Sequence, residues 1–204
     1  RKLDANISIK PTALGLKINR ELFESNLDQI ATSAAEHGNF VRIDMEDHTT
    51  IDDTLAVFRS LRKKHDNLGV VFQAYMRRTL ADIEALPAEG ANSRLCKGIY
   101  IEPRAVAWKG FETVQRAFLA ALEKAFRQGV YVGIATHDEY LCCAAVHLID
   151  RLGIPRDRYE FQMLPGVGEV HAQQLRAAAG AVVADRGRDA HELAAQGDHD
   201  RGEL

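Results

Sequence analysis

Val41-Arg42-Ile43-Asp44-Met45-Glu46-Asp47 starts apolar and ends acidic. The first half suits a buried strand and the second a turn in water, so it reads as a strand over 40–44 with a charged C-terminal tip. The same pattern recurs on both sides of it. Candidate strands fall at 6–10, 69–73, 94–97, 130–136 and 159–164, at intervals of roughly 25 to 36 residues. That interval is the length of one strand plus one crossover helix.

The segments between the strands carry helical periodicity. In 21–37, Leu22, Phe23, Leu27, Ile30 and Ala34 fall on one face, and in 50–64 Ile51, Leu55, Phe58 and Leu61 do the same. Thr49 and Thr50 followed by Asp52 and Asp53 suit a helix start, where acidic side chains meet the positive end of the dipole. Two more helices are expected over 111–128 and 139–152, with Gly129 and Gly153 where helix-ending glycines belong. A run of β-α steps implies a parallel sheet, either doubly wound or closed as a TIM-like barrel. The barrel is favoured. Its strand ends converge on one mouth, and here nearly every strand ends on a polar residue: Lys10, Asp44, Gln73, Lys97, Thr136-His137 and Gln162. A doubly wound sheet would usually show a glycine-rich first turn, and none of that type is present.

A full barrel has eight strands and about 250 residues. Six good strands and one weak one, 180–185, are legible in these 204 residues. The expectation is therefore an incomplete (β/α)8 barrel over 1–180, with strands two to seven present, followed by an atypical polar tail over 181–204. The exposed barrel edges predict poor solubility of the isolated chain. No initiator Met stands at Arg1, so the chain is expected to begin inside a longer protein.

Hydrophobic residues make up 46% and charged residues 27%, as in an ordinary globular protein. A net charge of −3 gives no case for nucleic acid, and no apolar run is long enough to span a membrane. Cys96, Cys142 and Cys143 are too few, and odd in number, for a disulfide framework; they point to a reducing compartment. Cys142 and Cys143 read as core filler, with a redox pair as the other reading.

The mouth is rich in charge. Lys10, Arg94 and Lys97 are cations, and Asp44 is the main anion, with Glu46 and Asp47 beyond it. Such groups require partners, either a polar ligand or one another. An excess of cation suits a carboxylate, a phosphate or an electron-rich ring. Each residue also has a plain reading: a solvated lysine, or Asp44 capping the following helix. Gln73 and Gln162 within apolar strands need hydrogen-bond partners, which favours a ligand-facing role. His137 reads as a structural histidine, a cofactor contact or a metal ligand. Metal is disfavoured, because no second His or Cys has ligand spacing with it. The histidines at 37, 48, 65, 147, 171, 191 and 199 read as helical, helix-end or surface residues, without assigned chemistry.

Six segments form a series: Ser8-Ile9-Lys10-Pro11-Thr12-Ala13-Leu14-Gly15, Val41 to Asp47, Val71-Phe72-Gln73-Ala74-Tyr75, Arg94-Leu95-Cys96-Lys97-Gly98-Ile99-Tyr100, Ala135-Thr136-His137-Asp138 and Tyr159-Glu160-Phe161-Gln162-Met163-Leu164. In this order and spacing, over roughly residues 6 to 170, the series resembles strands two to seven of proline dehydrogenase. The resemblance covers the monofunctional enzymes and the corresponding domain of the bifunctional proline utilisation protein. It implies a distorted (β/α)8 barrel holding FAD, oxidation of L-proline to Δ1-pyrroline-5-carboxylate, and transfer of electrons to a quinone. It also implies a cytoplasmic location with peripheral contact to the inner membrane.

Carried over by position, the resemblance makes Lys10, Asp44 and Arg94 the catalytic set. Lys10 would meet the proline carboxylate, Asp44 would order that end of the site, and Tyr100 and Leu164 would wall the ring. Gln73, Arg94 and Lys97 would lie along the flavin, where a cation favours negative charge on the reduced ring. Met45, Val71, Gly98 and Ile99, and the more distant Thr136, His137 and Gln162, complete the expected cofactor contacts, to which Asp44 and Leu164 also contribute.

The chain departs from the family pattern after the last strand. The family carries a paired arginine there that clamps the substrate carboxylate, and nothing after residue 164 supplies an Arg-Arg pair. Gly187-Arg188-Asp189 resembles a remnant of the preceding loop, and Pro165 stands where an aromatic or His is usual. The competing reading is therefore a truncated, catalytically inactive barrel fragment. A third reading is an unrelated aldolase with Lys97 or Lys10 as a Schiff base.

Overall fold

The computed structural model describes residues 6–86, 91–164 and the strand 182–184. Seven parallel strands form one sheet in sequence order: β1 (Ile7–Ile9), β2 (Val41–Ile43), β3 (Leu68–Gln73), β4 (Asn92–Cys96), β5 (Tyr131–Ala135), β6 (Tyr159–Met163) and β7 (Val182–Ala184). Helices α1 (Arg20–Glu36), α2 (Ile51–Leu61), α3 (Thr79–Glu84), α4 (Phe111–Arg127) and α5 (Glu139–Leu152) lie in the crossovers. A doubly wound sheet reverses its strand order at a switch point. This sheet never does, so it is a singly wound, incomplete (β/α) barrel. The weak seventh strand is present.

Side-chain alternation gives the sheet two faces. One face carries Val41, Ile43, Leu68, Val70, Phe72, Leu95, Val132, Ile134, Phe161 and Met163, all buried in a single apolar core. The helices supply the other half of that core, with Phe23 and Leu27 from α1, Leu55 and Phe58 from α2, Phe118 and Leu122 from α4, and Leu141 and Ala145 from α5. The opposite face carries Ser8, Arg42, Arg94, Glu160 and Gln162. Barrel interiors are usually filled by branched apolar residues, whereas this inner face is polar.

Local signals set the helix ends. The Asn19 side chain accepts the Leu22 N–H at 2.7 Å and starts α1. Asp138 starts α5 by accepting the Leu141 N–H, and Gly153 ends it in the left-handed region at φ 61°. Gly129, at φ 70°, follows α4 in the same conformation.

Four expectations need correction. The apolar stripe of α1 is Phe23, Leu27, Ala31 and Ala34, so Leu22 faces outward and Ile30 sits at the margin. Asp44 caps no helix; α2 begins after Thr50, six residues later. Of the cysteine pair only Cys142 is core, its thiol pushed up to about 12 by burial, while Cys143 is exposed. Both are free thiols, and consecutive helical residues point in different directions. His65 is buried, not a surface residue: its Nε2 sits 2.5 Å from Asp28 of α1. β7 falls within the expected tail of 181–204; the rest of that tail, Pro165, Gly187-Arg188-Asp189 and the histidines at 171, 191 and 199 lie outside the described residues.

Candidate active site

A chain of contacts crosses the inner face from β1 to β6. Ser8 Oγ donates to Asp44 Oδ1 at 2.7 Å, and Arg94 NH1 approaches the same oxygen at 3.5 Å. Arg94 Nε donates to Gln162 Oε1 at 2.5 Å, and Gln162 Nε2 donates to Glu160 Oε1 at 2.5 Å. Arg94 is thus the hub, on the fourth strand, of a network that begins on the first. Gly133 makes room for it: a Cβ there would lie 2.5 Å from Gln162 Nε2. One layer deeper, Arg42 is 1% exposed and donates to Asn92 Oδ1 at 2.9 Å. Burial, and then the charge of Arg94, lower the Arg42 pKa to about 10.

The remaining tips surround this hub. Lys10 is exposed and leads into a 3-10 turn over Pro11–Leu14. Gln73, 2% exposed, donates Nε2 to the carbonyls of Met45 (2.6 Å) and Glu46 (2.9 Å). Its Oε1 has no partner among the described residues. Val71 sits beside Arg94 in the β3–β4 register. Tyr100 is half-buried; burial raises its pKa, the charges of Glu46 and Asp44 add to that, and Lys10 opposes them, so the phenol lies within the field of all three. Gly98 takes φ +111°, and a Cβ there would come within 2.2 Å of the Tyr75 ring. That close approach brings the Gly98-Ile99-Tyr100 backbone down onto Tyr75, whose hydroxyl donates to the Tyr100 carbonyl at 3.2 Å.

On the far side, Lys97 Nζ donates to Asp138 Oδ2 at 3.3 Å and lies 5.2 Å from the Phe111 ring centroid. Burial alone would raise the Asp138 pKa; hydrogen bonds from Gln115 and the Leu141 amide, with Lys97, outweigh that and hold it low. Thr136 Oγ1 accepts the Asp138 N–H. Leu164 donates its backbone N–H to His137 Nε2 at 3.0 Å, which joins the β5 and β6 tips. Among the described residues no group of three or more His, Cys, Asp and Glu side chains could share a metal ion, and no helix is long and apolar enough to cross a membrane.

The geometry therefore brings Asp44, Arg94 and Gln162 into one connected group, with Gln73 holding the two residues after Asp44. The sequence reading missed Ser8 as a partner of Asp44, Arg42 and Glu160 beneath the network, and the buried Glu102 beside His48. A charge inside a three-residue apolar strand was the available signal for Arg42. For Glu102, in an exposed loop, there was none.

A sequential parallel sheet with polar tips gathered at its C-terminal edge defines the class: a (β/α) barrel with its ligand face at that edge. The family model for proline dehydrogenase matches residues 2–199, and the chain belongs to that family. It is 36% identical over 167 residues to proline dehydrogenase 2 of Bacillus subtilis (strain 168), covering 82% of this chain and 55% of that protein. It is 34% identical over 176 residues to the proline dehydrogenase of Deinococcus radiodurans, covering 84% and 57%. The chain thus spans a little over half the length of these curated relatives. Among solved structures, proline utilization A from Bdellovibrio bacteriovorus, inactivated by N-propargylglycine, superposes with a TM-score of 0.79 at 23% identity, over 87% of this chain and 22% of that one. Proline utilization A from Corynebacterium freiburgense gives 0.75 at 22%, over 98% and 25%. At such identities these structures speak for the fold alone.

Proposed function

We propose that this chain forms the substrate and cofactor face of an FAD-dependent proline dehydrogenase, oxidising L-proline to Δ1-pyrroline-5-carboxylate with a quinone as final acceptor. The observation that carries the reading is the Ser8–Asp44–Arg94–Gln162 network, which gathers groups from β1, the β2 tip, β4 and β6 around one cation. One buried group fits a cofactor there: Gln73 Oε1 is an acceptor with no partner among the described residues.

FAD bound there would supply two-electron chemistry, accepting hydride from the substrate. The chain's own residues do the rest. The Lys10 ammonium holds the substrate carboxylate as a point charge. Asp44, held by Ser8 and Arg94, fixes the orientation of that end of the pocket. Arg94 brings a permanent positive charge and donors of fixed geometry to the ring, favouring negative charge that builds up there during the reaction. Tyr100 and Leu164 exclude water from the apolar substrate ring. Met45, Val71, Gln73, Lys97, Gly98, Ile99, Thr136, His137 and Gln162 hold the cofactor. Peripheral contact with a membrane would bring the site to its quinone.

The competing reading, an inert fragment, rests on the missing arginine pair after residue 164. Steady-state assay of the purified chain with added FAD, L-proline and a soluble quinone separates the two. Formation of pyrroline carboxylate matched by quinone reduction supports the dehydrogenase. Neither product nor reduced quinone, from folded protein, supports the fragment.

A further inference from the structure

Glu102 is an acid buried in a loop that spends both oxygens on a single distant residue, as Glu46 also does on Thr12. It is 4% exposed, while Ile101 before it is fully exposed and Pro103 and Arg104 after it are exposed too. Its Oε1 accepts the His48 backbone N–H at 2.8 Å, and its Oε2 lies 2.5 Å from His48 Nδ1, where it accepts the ring N–H. A buried carboxylate requires that degree of satisfaction. The bonds cross 54 positions and join the loop after β2 to the loop after β4, passing over the tip of β3.

Like the Arg94–Asp44 ion pair, this second link joins the β2 and β4 segments, but it does so through the loops beyond the strand tips. His48 is four residues past Asp44, and Glu102 is two past Tyr100. Every residue between Asp44 and His48 is also tethered. Gln73 holds the Met45 and Glu46 carbonyls. The Glu46 carboxylate accepts Thr12 N–H and Oγ1, each at 2.8 Å. Asp47 accepts Lys17 Nζ and the Thr49 N–H. The β4 loop is tied mainly to the segment after β3: Tyr75 N–H donates to the Lys97 carbonyl, the Tyr75 hydroxyl to the Tyr100 carbonyl and Arg77 Nε to the Arg104 carbonyl. Glu102 instead ties it to the loop after β2, the loop that carries Asp44.

We infer that Glu102 is a positioning residue, whose clasp on His48 sets the spacing between Asp44 and Tyr100 across the substrate pocket. Its use for L-proline rests on the function proposed above; the clasp itself does not. Glu102→Gln keeps an oxygen for the His48 amide and offers an N–H to the ring, whereas Glu102→Ala loses both bonds. The test compares wild type, E102Q and E102A as the full chain, with FAD, by hydrogen exchange over 44–50 and 98–104, melting temperature, and separate kcat and KM for L-proline. The expected result is faster exchange in both loops for E102A alone, with KM raised about tenfold, the scale of one lost charge-assisted bond. kcat should change little, and E102Q should stay close to wild type. Equal exchange in wild type and E102A overturns the clasp whether or not the protein turns over. An unchanged KM in an active E102A, or E102Q failing as badly as E102A, overturns the positioning role. If wild type exchanges as expected but never oxidises proline, the clasp stands and the substrate assignment falls.

Discussion

Arg94 is where the residue-scale account is most exposed to test. Its Nε is committed to Gln162 and its NH1 faces Asp44 and Ser8. Gln162→Leu would strand a donor of a partly buried cation. We expect a stability loss of about 1–3 kcal/mol, visible as a lower denaturation midpoint. Gly133→Ala displaces the same amide without removing it. The three atoms nearest the added Cβ all belong to the flexible end of Gln162, so the fold should lose no more than the about 1–3 kcal/mol of Gln162→Leu. Gln162 must still swing off Arg94, and FAD retention on gel filtration should fall. FAD retained at the wild-type level by G133A would argue against the network's role. Asp44, Gln73 and Gln162 were legible because a polar residue at an apolar strand's tip conflicts with its surroundings, and Arg94 because a charge within a strand requires a partner. Glu102 and His48 were not, because an acid and a histidine in polar loops look solvated until the chain brings them together. Ser8 was hidden for a related reason: a serine in an edge strand is unremarkable until Asp44 is beside it.

At the scale of the element, α1 and α2 are joined by Asp28, whose carboxylate takes two contacts from Lys64 Nζ and one from His65 Nε2. The Lys64 hydrogen bonds first, and then His65, hold its pKa below the usual aspartate value, and partial burial opposes them. A carboxylate with a depressed folded-state pKa contributes stability above its unfolded-state pKa and loses it as pH falls through the folded one. Wild type should therefore lose melting temperature on acidification faster than Asp28→Asn, and the two should converge in acid. At neutral pH the variant should be less stable by about 1 kcal/mol, since the group is partly exposed. Parallel melting curves at every pH would show the contact to be energetically silent. The longer helices could be read from sequence because an apolar stripe repeats over three or more turns. α3 could not: Thr79–Glu84 has six residues, too few for a period to show. The outward Leu22 has another cause. Phe23, Leu27, Ala31 and Ala34 already fill the sheet side of α1, and a stripe drawn from sequence is wider than the groove that receives it.

Over the whole molecule, strand order does the arranging. Because β1 to β7 follow one another without reversal, the described helices pack their apolar residues on one face, and the other face is left to Ser8, Arg42, Arg94, Glu160 and Gln162. Interval and tip chemistry made the barrel legible. The polar interior was not, since it depends on which way alternate residues point, and strands of three residues set that only through register. The central claim is that these converging polar groups form a flavin site. Its most direct test is reconstitution of the purified 204-residue chain with FAD, removal of free cofactor, and anaerobic titration with L-proline while the visible flavin band is followed. The expected result is a yellow protein that bleaches on L-proline addition, with Arg94→Met binding less FAD. A folded chain that emerges colourless, or one that holds FAD equally well without Arg94, would contradict it.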